Sequence, residues 1–214
     1  MKFKIYKNSV SQLLWKFLIR LMEFEELKNF RLVGGTSLSL MMGHRVSVDI
    51  DMFSDSEYGT INFQKIRKLL IKEFPFVSKE KWINETIGNS CFVGESMDDL
   101  VKLDLFYTDD FVFPIIEFEN VRLSSLEEIA AMKLEVIGRG GRKKDFWDIH
   151  ALLEHFTMDE MVVFYKERYP YNFSKDELIP QIINFEKAEF DPDPICLKGK
   201  YWELIKLDIE EIMK

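Results

Sequence analysis

Leu32 to Phe53, LVGGTSLSLMMGHRVSVDIDMF, changes its periodicity twice, and how those changes are read decides the fold. Arg31 to Val33 is a short apolar run that stops at Gly34-Gly35, a pair that tolerates positive φ and lets a ligand approach the backbone closely. A helix is expected from Thr36 or Ser37 to Gly43. The first amides of such a helix have no partner within it, and with the positive end of the dipole they form an anion site suited to a triphosphate. From Arg45 the pattern alternates, with Arg45, Ser47, Asp49 and Asp51 on one face and Val46, Val48, Ile50 and Met52 on the other. That predicts a half-buried strand carrying two carboxylates on the same side, roughly 7 Å apart.

Two such carboxylates repel by about 2–4 kcal/mol at an effective dielectric of about 20. A divalent ion removes the conflict, and oxygen ligands that leave sites open for phosphate and water suit Mg²⁺, with Mn²⁺ as a substitute. A third acid is expected on a neighbouring strand. Leu100 to Tyr107, LVKLDLFY, supplies Asp104, with Lys102, Asp104 and Phe106 on one face and Val101, Leu103 and Leu105 on the other. By itself such an Asp would read as a solvent-facing strand residue. Following a Gly-Gly and Asp-x-Asp block, it reads as the third metal ligand.

These residues resemble the minimal signature of the polymerase-β-like nucleotidyltransferases: Gly-Gly, a 13-residue spacer, Asp-x-Asp, then an apolar-Asp-apolar strand. The fuller string is similar to the AbiEii/AbiGii toxin group, with its GGT, GHR and DID elements. A further block, Ser124 to Leu153, SSLEEIAAMKLEVIGRGGRKKDFWDIHALL, resembles that group's third motif at Lys133, Arg139, Lys144, Asp145 and Asp148. Weaker likeness continues at Ile183 to Pro194 and around Trp202.

The resemblance implies an α+β fold, with a nucleotidyltransferase-type mixed sheet and flanking helices followed by a helical half, divided as residues 1–122 and 123–214. It implies transfer of a nucleoside monophosphate from an NTP. Asp49, Asp51 and Asp104 would hold the metal, Gly34, Gly35, Thr36 and Ser47 would hold phosphate, and Arg45 and Lys133 would offset charge on the leaving pyrophosphate. Arg139, Lys144 and Asp145 would form a basic turn facing phosphates, and Asp148 joins the catalytic set. It also implies a bacterial toxin with a cognate antitoxin and tRNA as acceptor. Two other readings stay open: a catalytically idle module of the same fold, and an enzyme whose acceptor is a protein or a small molecule such as an aminoglycoside.

Bulk properties are compatible with these readings. The 214 residues are 47% hydrophobic and 31% charged, enough for a real core under a charged surface. A net charge of −8 argues against a nucleic-acid coat protein but leaves room for a local basic groove. Cys91 and Cys196 stand far apart with no CxxC partner, so neither zinc nor a disulfide framework is expected, and a reducing cytoplasm fits. Lys16 and Arg20 interrupt the first apolar stretch, so neither a secretory leader nor a membrane partner is expected.

Along the chain, Val10 to Met22 carries a helical stripe expected to run to about Asn29, and Ile61 to Phe74 carries another that Pro75 ends. Val77 to Trp82 and Glu85 to Gly94 read as strands. Ser124 and Ser125, placed before Glu127 and Glu128, mark a strong helix start. In the basic turn, Lys and Arg closing one helix and Asp opening the next would also arise simply as dipole complements. Gly43-His44-Arg45 suggests a positioning role for His44. His150 and His155 read as structural, and Phe146 and Trp147 as core.

Overall fold

The computed structural model describes residues 4–78 and 87–214. The chain forms two compact units. One comprises Val10–Ser37 and Ser47–Ser124, and the other Lys4–Ser9, Leu38–Val46 and Ser125–Lys214. The sheet-bearing segment ends at Ser124 and the C-terminal helical segment begins at Ser125. Recruitment of two short N-terminal segments into the second unit was not expected.

The first unit is built on seven strands: β1 (Arg31–Leu32), β2 (Asp49–Ser54), β3 (Phe76–Val77), β4 (Gly88–Ser96), β5 (Asp99–Tyr107), β6 (Ile115–Phe118) and β7 (Val121–Ser124). Their order across the sheet is β3, β4, β5, β2, β1, β7, β6. The sheet is mixed, because β2 pairs with β5 and β1 with β7 in parallel while the other pairs are antiparallel. Helix α1 (Gln12–Met22) packs against β2 and β7, and α3 (Phe63–Glu73) against β3 and β4. The edge-to-face pair Phe17–Phe74, 4.9 Å between centroids, joins α1 to the end of α3.

Ile50, Met52, Val101, Leu103 and Leu105 are buried, whereas Asp49, Asp51, Phe53, Lys102, Asp104 and Phe106 are only half-buried. The period-two pattern thus leaves a polar face on the two central strands. Arg122 on β7 donates to the carbonyls of Met22, at the end of α1, and of Leu27 and Phe30 in the segment that follows, tying that segment to the sheet.

Several boundaries differ from the sequence reading. Helix α2 (Gly34–Met42) begins at Gly34, so the diglycine is its first turn and not a bend before it. Strand β2 begins at Asp49, not Arg45. The alternation fails before Asp49, because Val48 is 66% exposed while Arg45 is 3% exposed, the reverse of the expected faces. Helix α1 stops at Met22, and a 3-10 turn, Glu25–Leu27, replaces its expected last turn. The β6–β7 hairpin was not anticipated. Its two-residue connection is Glu119-Asn120, both at positive φ, and only the Asn is a recognisable signal for such a turn. Residues 79–86, which include most of the expected strand at Val77 to Trp82 and the start of the next, lie outside the described residues.

The second unit is helical, with α4 (Leu126–Gly138), α5 (Lys143–Leu152), α6 (Met158–Arg168), α7 (Lys175–Ile182) and α8 (Trp202–Ile212). Ser125, Thr157 and Ser174 cap α4, α6 and α7 by accepting the amide three residues on. Helix α4 packs on α5, α6 and α7, and α5 on α8. Phe146, Phe185, Trp147 and Trp202 form an aromatic cluster in which the two Trp rings stack at 6.2 Å. A buried ion pair, Arg168 to Glu128 at 2.6 Å, ties α6 to α4. No described helix is long and apolar enough to cross a membrane.

Candidate active site

The parallel register of β2 and β5 places Asp49 opposite Lys102 and Asp51 opposite Asp104. Neighbouring strands lie about 4.8 Å apart and residues i and i+2 about 6.6 Å apart, so these four side chains form one rectangle on the half-buried face. Phe53 and Phe106 extend that face, with ring centroids 6.1 Å apart. On the other side of β5, antiparallel β4 sets Ser90 opposite Asp104 and Phe92 opposite Lys102.

At one edge of this face is the start of α2. Gly34 has φ of +64°, and a Cβ there would lie 2.9 Å from Asp51 Oδ2. The residue must therefore be glycine for two reasons, the left-handed backbone and the carboxylate against it. Val33 donates its amide to the Asp51 carbonyl, which fixes the helix start to β2. Thr36 is fully buried; its hydroxyl lies 2.8 Å from Ser47 Oγ and donates to the carbonyl of Asp49. Thr36 and Ser47 thus brace the first helical turn against the Asp-x-Asp segment. Phosphate binding was expected of Thr36 and Ser47; in the structure their hydroxyls are turned to each other and to the Asp49 carbonyl.

Asp104 accepts from Lys102 Nζ at 2.5 Å through Oδ2, while its Oδ1 is buried without a hydrogen-bond partner. Burial alone would lower the pKa of Lys102, but Asp104, and then Asp51 and Asp49, outweigh it and hold the ammonium above its usual value. One cation therefore feels all three acids. Among the described residues, no group of three His, Cys, Asp or Glu side chains is drawn together closely enough to hold a metal ion. The donors still fit one chemically, since they are all carboxylates and the buried Asp104 Oδ1 is an acceptor that a hard cation would satisfy.

The remaining predicted residues gather within the second unit. Asp148, fully buried on α5, accepts from Arg45 Nε at 2.6 Å and Nη2 at 2.8 Å, and lies 2.8 Å from His44 Nε2 and 2.6 Å from Lys133 Nζ. Lys133 also reaches Asp145 at 2.7 Å, and Asp145 accepts the Arg142 amide. Burial would raise the pKa of Asp148, but Arg45 and Lys133 reverse that and hold it well below the usual carboxylate range. Burial lowers His44, against the pull of Asp148, so its imidazole is neutral near pH 7.

Arg45 and Lys133 are 3% and 6% exposed. The structure commits these cations to buried carboxylates, whereas the sequence reading assigned them to pyrophosphate. Arg139 joins neither cluster and pairs with Glu135 one turn back on α4, and Lys144 is half-buried at the start of α5. His44, for which the sequence suggested a positioning role, contacts Asp148. Lys102 received no role from sequence, although its place two residues before Asp104 put it on the acids' face. Its adjacency to Asp49 comes from strand pairing.

A mixed sheet with Asp-x-Asp on one central strand, a third Asp on the parallel strand beside it and a glycine-led helix preceding both is the frame on which nucleotidyltransferases are built. The chain is an enzyme of that class. More particularly, it belongs to the nucleotidyl transferase AbiEii toxin family of type IV toxin–antitoxin systems, which matches residues 16–211. Uncharacterized protein aq_aa25 of Aquifex aeolicus (strain VF5) is 26% identical over 198 residues, spanning 87% of this chain and 85% of its own. JHP933 from Helicobacter pylori has a similar fold, with a TM-score of 0.55 and 18% identity over 98% of this chain and 92% of its own. MenT4, a nucleotidyltransferase toxin from Mycobacterium tuberculosis H37Rv, gives a TM-score of 0.60 and 11% identity over 92% and 78%.

Proposed function

We propose that this nucleotidyltransferase moves a nucleoside monophosphate from an NTP to a hydroxyl of an RNA acceptor, tRNA by our reading, and that it acts in the cytoplasm as a toxin checked by a cognate antitoxin. The observation that carries the chemistry is the pairing of Asp49 and Asp51 with Lys102 and Asp104 across β2 and β5 beside the α2 start. In this mechanism the backbone of Gly34 and Gly35 receives the β and γ phosphates. The acceptor oxygen attacks the α-phosphorus in line, its proton passes to Asp104, and the bond to the β-phosphate oxygen breaks to release pyrophosphate. Asp49, Asp51 and Asp104 would hold Mg²⁺ or Mn²⁺, which supplies charge neutralisation and a more acidic acceptor hydroxyl when bound. The network of Arg45, His44, Lys133, Asp145 and Asp148 is assigned a positioning role, because its charges are already neutralised internally.

Incubation of the protein with each labelled NTP and total RNA, with and without Mg²⁺, tests the assignment. Label in tRNA that disappears in both Asp49→Asn and Asp51→Asn supports it. Full transfer by both variants would end it. Label in protein or in small molecules would redirect the acceptor, and growth arrest on expression, relieved by a neighbouring gene, tests the toxin role.

A further inference from the structure

Transfer brings two reactants to the carboxylates, and the sheet order gives each its own side. Gly34 lies against Asp51 Oδ2, so the turn assigned to the triphosphate sits on the side of β2 away from β5. In-line displacement sets the attacking oxygen opposite the departing pyrophosphate. The acceptor therefore reaches Asp104 from the far side of β5, where the next strand is β4. Antiparallel pairing puts Ser90 beside Asp104 and Phe92 beside Lys102, roughly 4.8 Å away by strand spacing. Both side chains belong to the outer face of β4. Cys91 and Val93, which alternate with them, are 3% and 0% exposed, whereas Ser90 is exposed and Phe92 is 36% exposed.

Along this face an aromatic ring flanks Ser90 on either side, and the two rings differ. Phe106 is half-buried, lies over Gly88, where an added Cβ would meet the ring at 2.3 Å, and packs edge-on against Phe53. Phe92 is the exposed one, and Leu100, 38% exposed, continues its apolar surface over Gly94, the next outward position on β4. Beyond them the turn into β5 carries Asp98 and Asp99, both exposed, whose charge repels a phosphate backbone. An apolar ring beside the reacting groups, with anions behind it, suits a single base at the end of an RNA and not a strand that continues past it.

We infer that Ser90 and Phe92 form the acceptor subsite: the Phe92 ring, extended by Leu100, stacks on the base of the terminal nucleotide, and the Ser90 hydroxyl hydrogen-bonds the ribose that carries the attacking oxygen. Every base has a π-face, so the subsite selects an unpaired end and not a particular sequence. The inference rests on the transfer to RNA proposed above.

Steady-state transfer from labelled NTP to total tRNA, measured for wild type, Phe92→Ala, Phe92→Tyr and Ser90→Ala together with the melting of each preparation, tests it. Phe92→Ala lowers kcat/KM for RNA about fivefold to a hundredfold, the range of one lost base–aromatic stack, while the KM for NTP stays within about twofold of wild type. Phe92→Tyr keeps the ring and restores transfer. Ser90→Ala lowers kcat/KM for RNA about threefold to tenfold. If Phe92→Ala does not fold, Phe92→Leu, which keeps apolar surface without a ring, takes its place. Wild-type transfer to tRNA that is unchanged in Phe92→Ala, or a loss that falls equally on RNA and NTP, overturns the inference and leaves the enzymatic reading standing. Wild-type protein that labels no RNA overturns the RNA acceptor and this subsite with it.

Discussion

Replacing Asp148 by Asn keeps its shape and removes one charge from a buried ionic cluster in the second unit. In the wild type, Arg45 and Lys133 are balanced by Asp145 and Asp148, with His44 neutral. In Asp148→Asn, two buried cations share one carboxylate, and the new amide offers a single weak acceptor where Arg45 had a bidentate contact. Removing one partner of a buried pair costs about 3–5 kcal/mol, because the other charge remains desolvated. For a chain of this size each kcal/mol moves the midpoint by about 2–4 °C, so a fall of at least about 6 °C is expected. The assay is thermal denaturation followed by circular dichroism at pH 7.5, with the double variant Lys133→Met/Asp148→Asn as partner. Restoring neutrality should make the double variant less destabilised than the sum of the singles. A change of less than about 1 °C in Asp148→Asn, or strict additivity in the cycle, would refute the idea that these charges are held out of water and matched to one another.

Three further outcomes follow from the same geometry. Gly34→Ala introduces a Cβ 2.9 Å from Asp51 Oδ2 at a φ of +64°, so transfer should fall at least about tenfold while stability drops only by the about 1–2 kcal/mol of the left-handed penalty, checked by initial rates and melting on one preparation. Thr36→Val removes the hydroxyl donated to the Asp49 carbonyl, and should cost about 1–3 kcal/mol in urea unfolding. Acidification should destabilise in two stages. The folded pKa of His44 is lowered, so the unfolded chain takes up the proton first and stability falls as pH drops below about 6.5. The folded pKa of Asp148 is also lowered, so its contribution is intact above about 3.9 and is lost as pH falls through the depressed value. Urea titrations between pH 7.5 and 4.5 on wild type and His44→Gln should show the first stage in the wild type alone.

Much of the first unit was legible because its signals are local. The alternation of LVKLDLFY fixes which side of β5 faces the core from side-chain direction alone, and the stripe at Val10 to Met22 has only one face to bury. The Asp-x-Asp and Gly-Gly spacing likewise identified the acids and the helix start, although not that the helix begins on the first glycine. The sequence could not disclose partners chosen by strand order and helix packing. The same alternation that located Asp49 and Asp51 put Arg45 on their face, yet Arg45 turns to a buried carboxylate 103 residues away. Lys102 stood in plain view beside Asp104, but only the parallel pairing of β2 with β5 brings it opposite Asp49. Chain-local periodicity thus determined which residues point together along a single element. The tertiary structure decided which charges neutralise one another, because Coulomb energy depends on distance through space and on burial, neither of which a linear pattern contains.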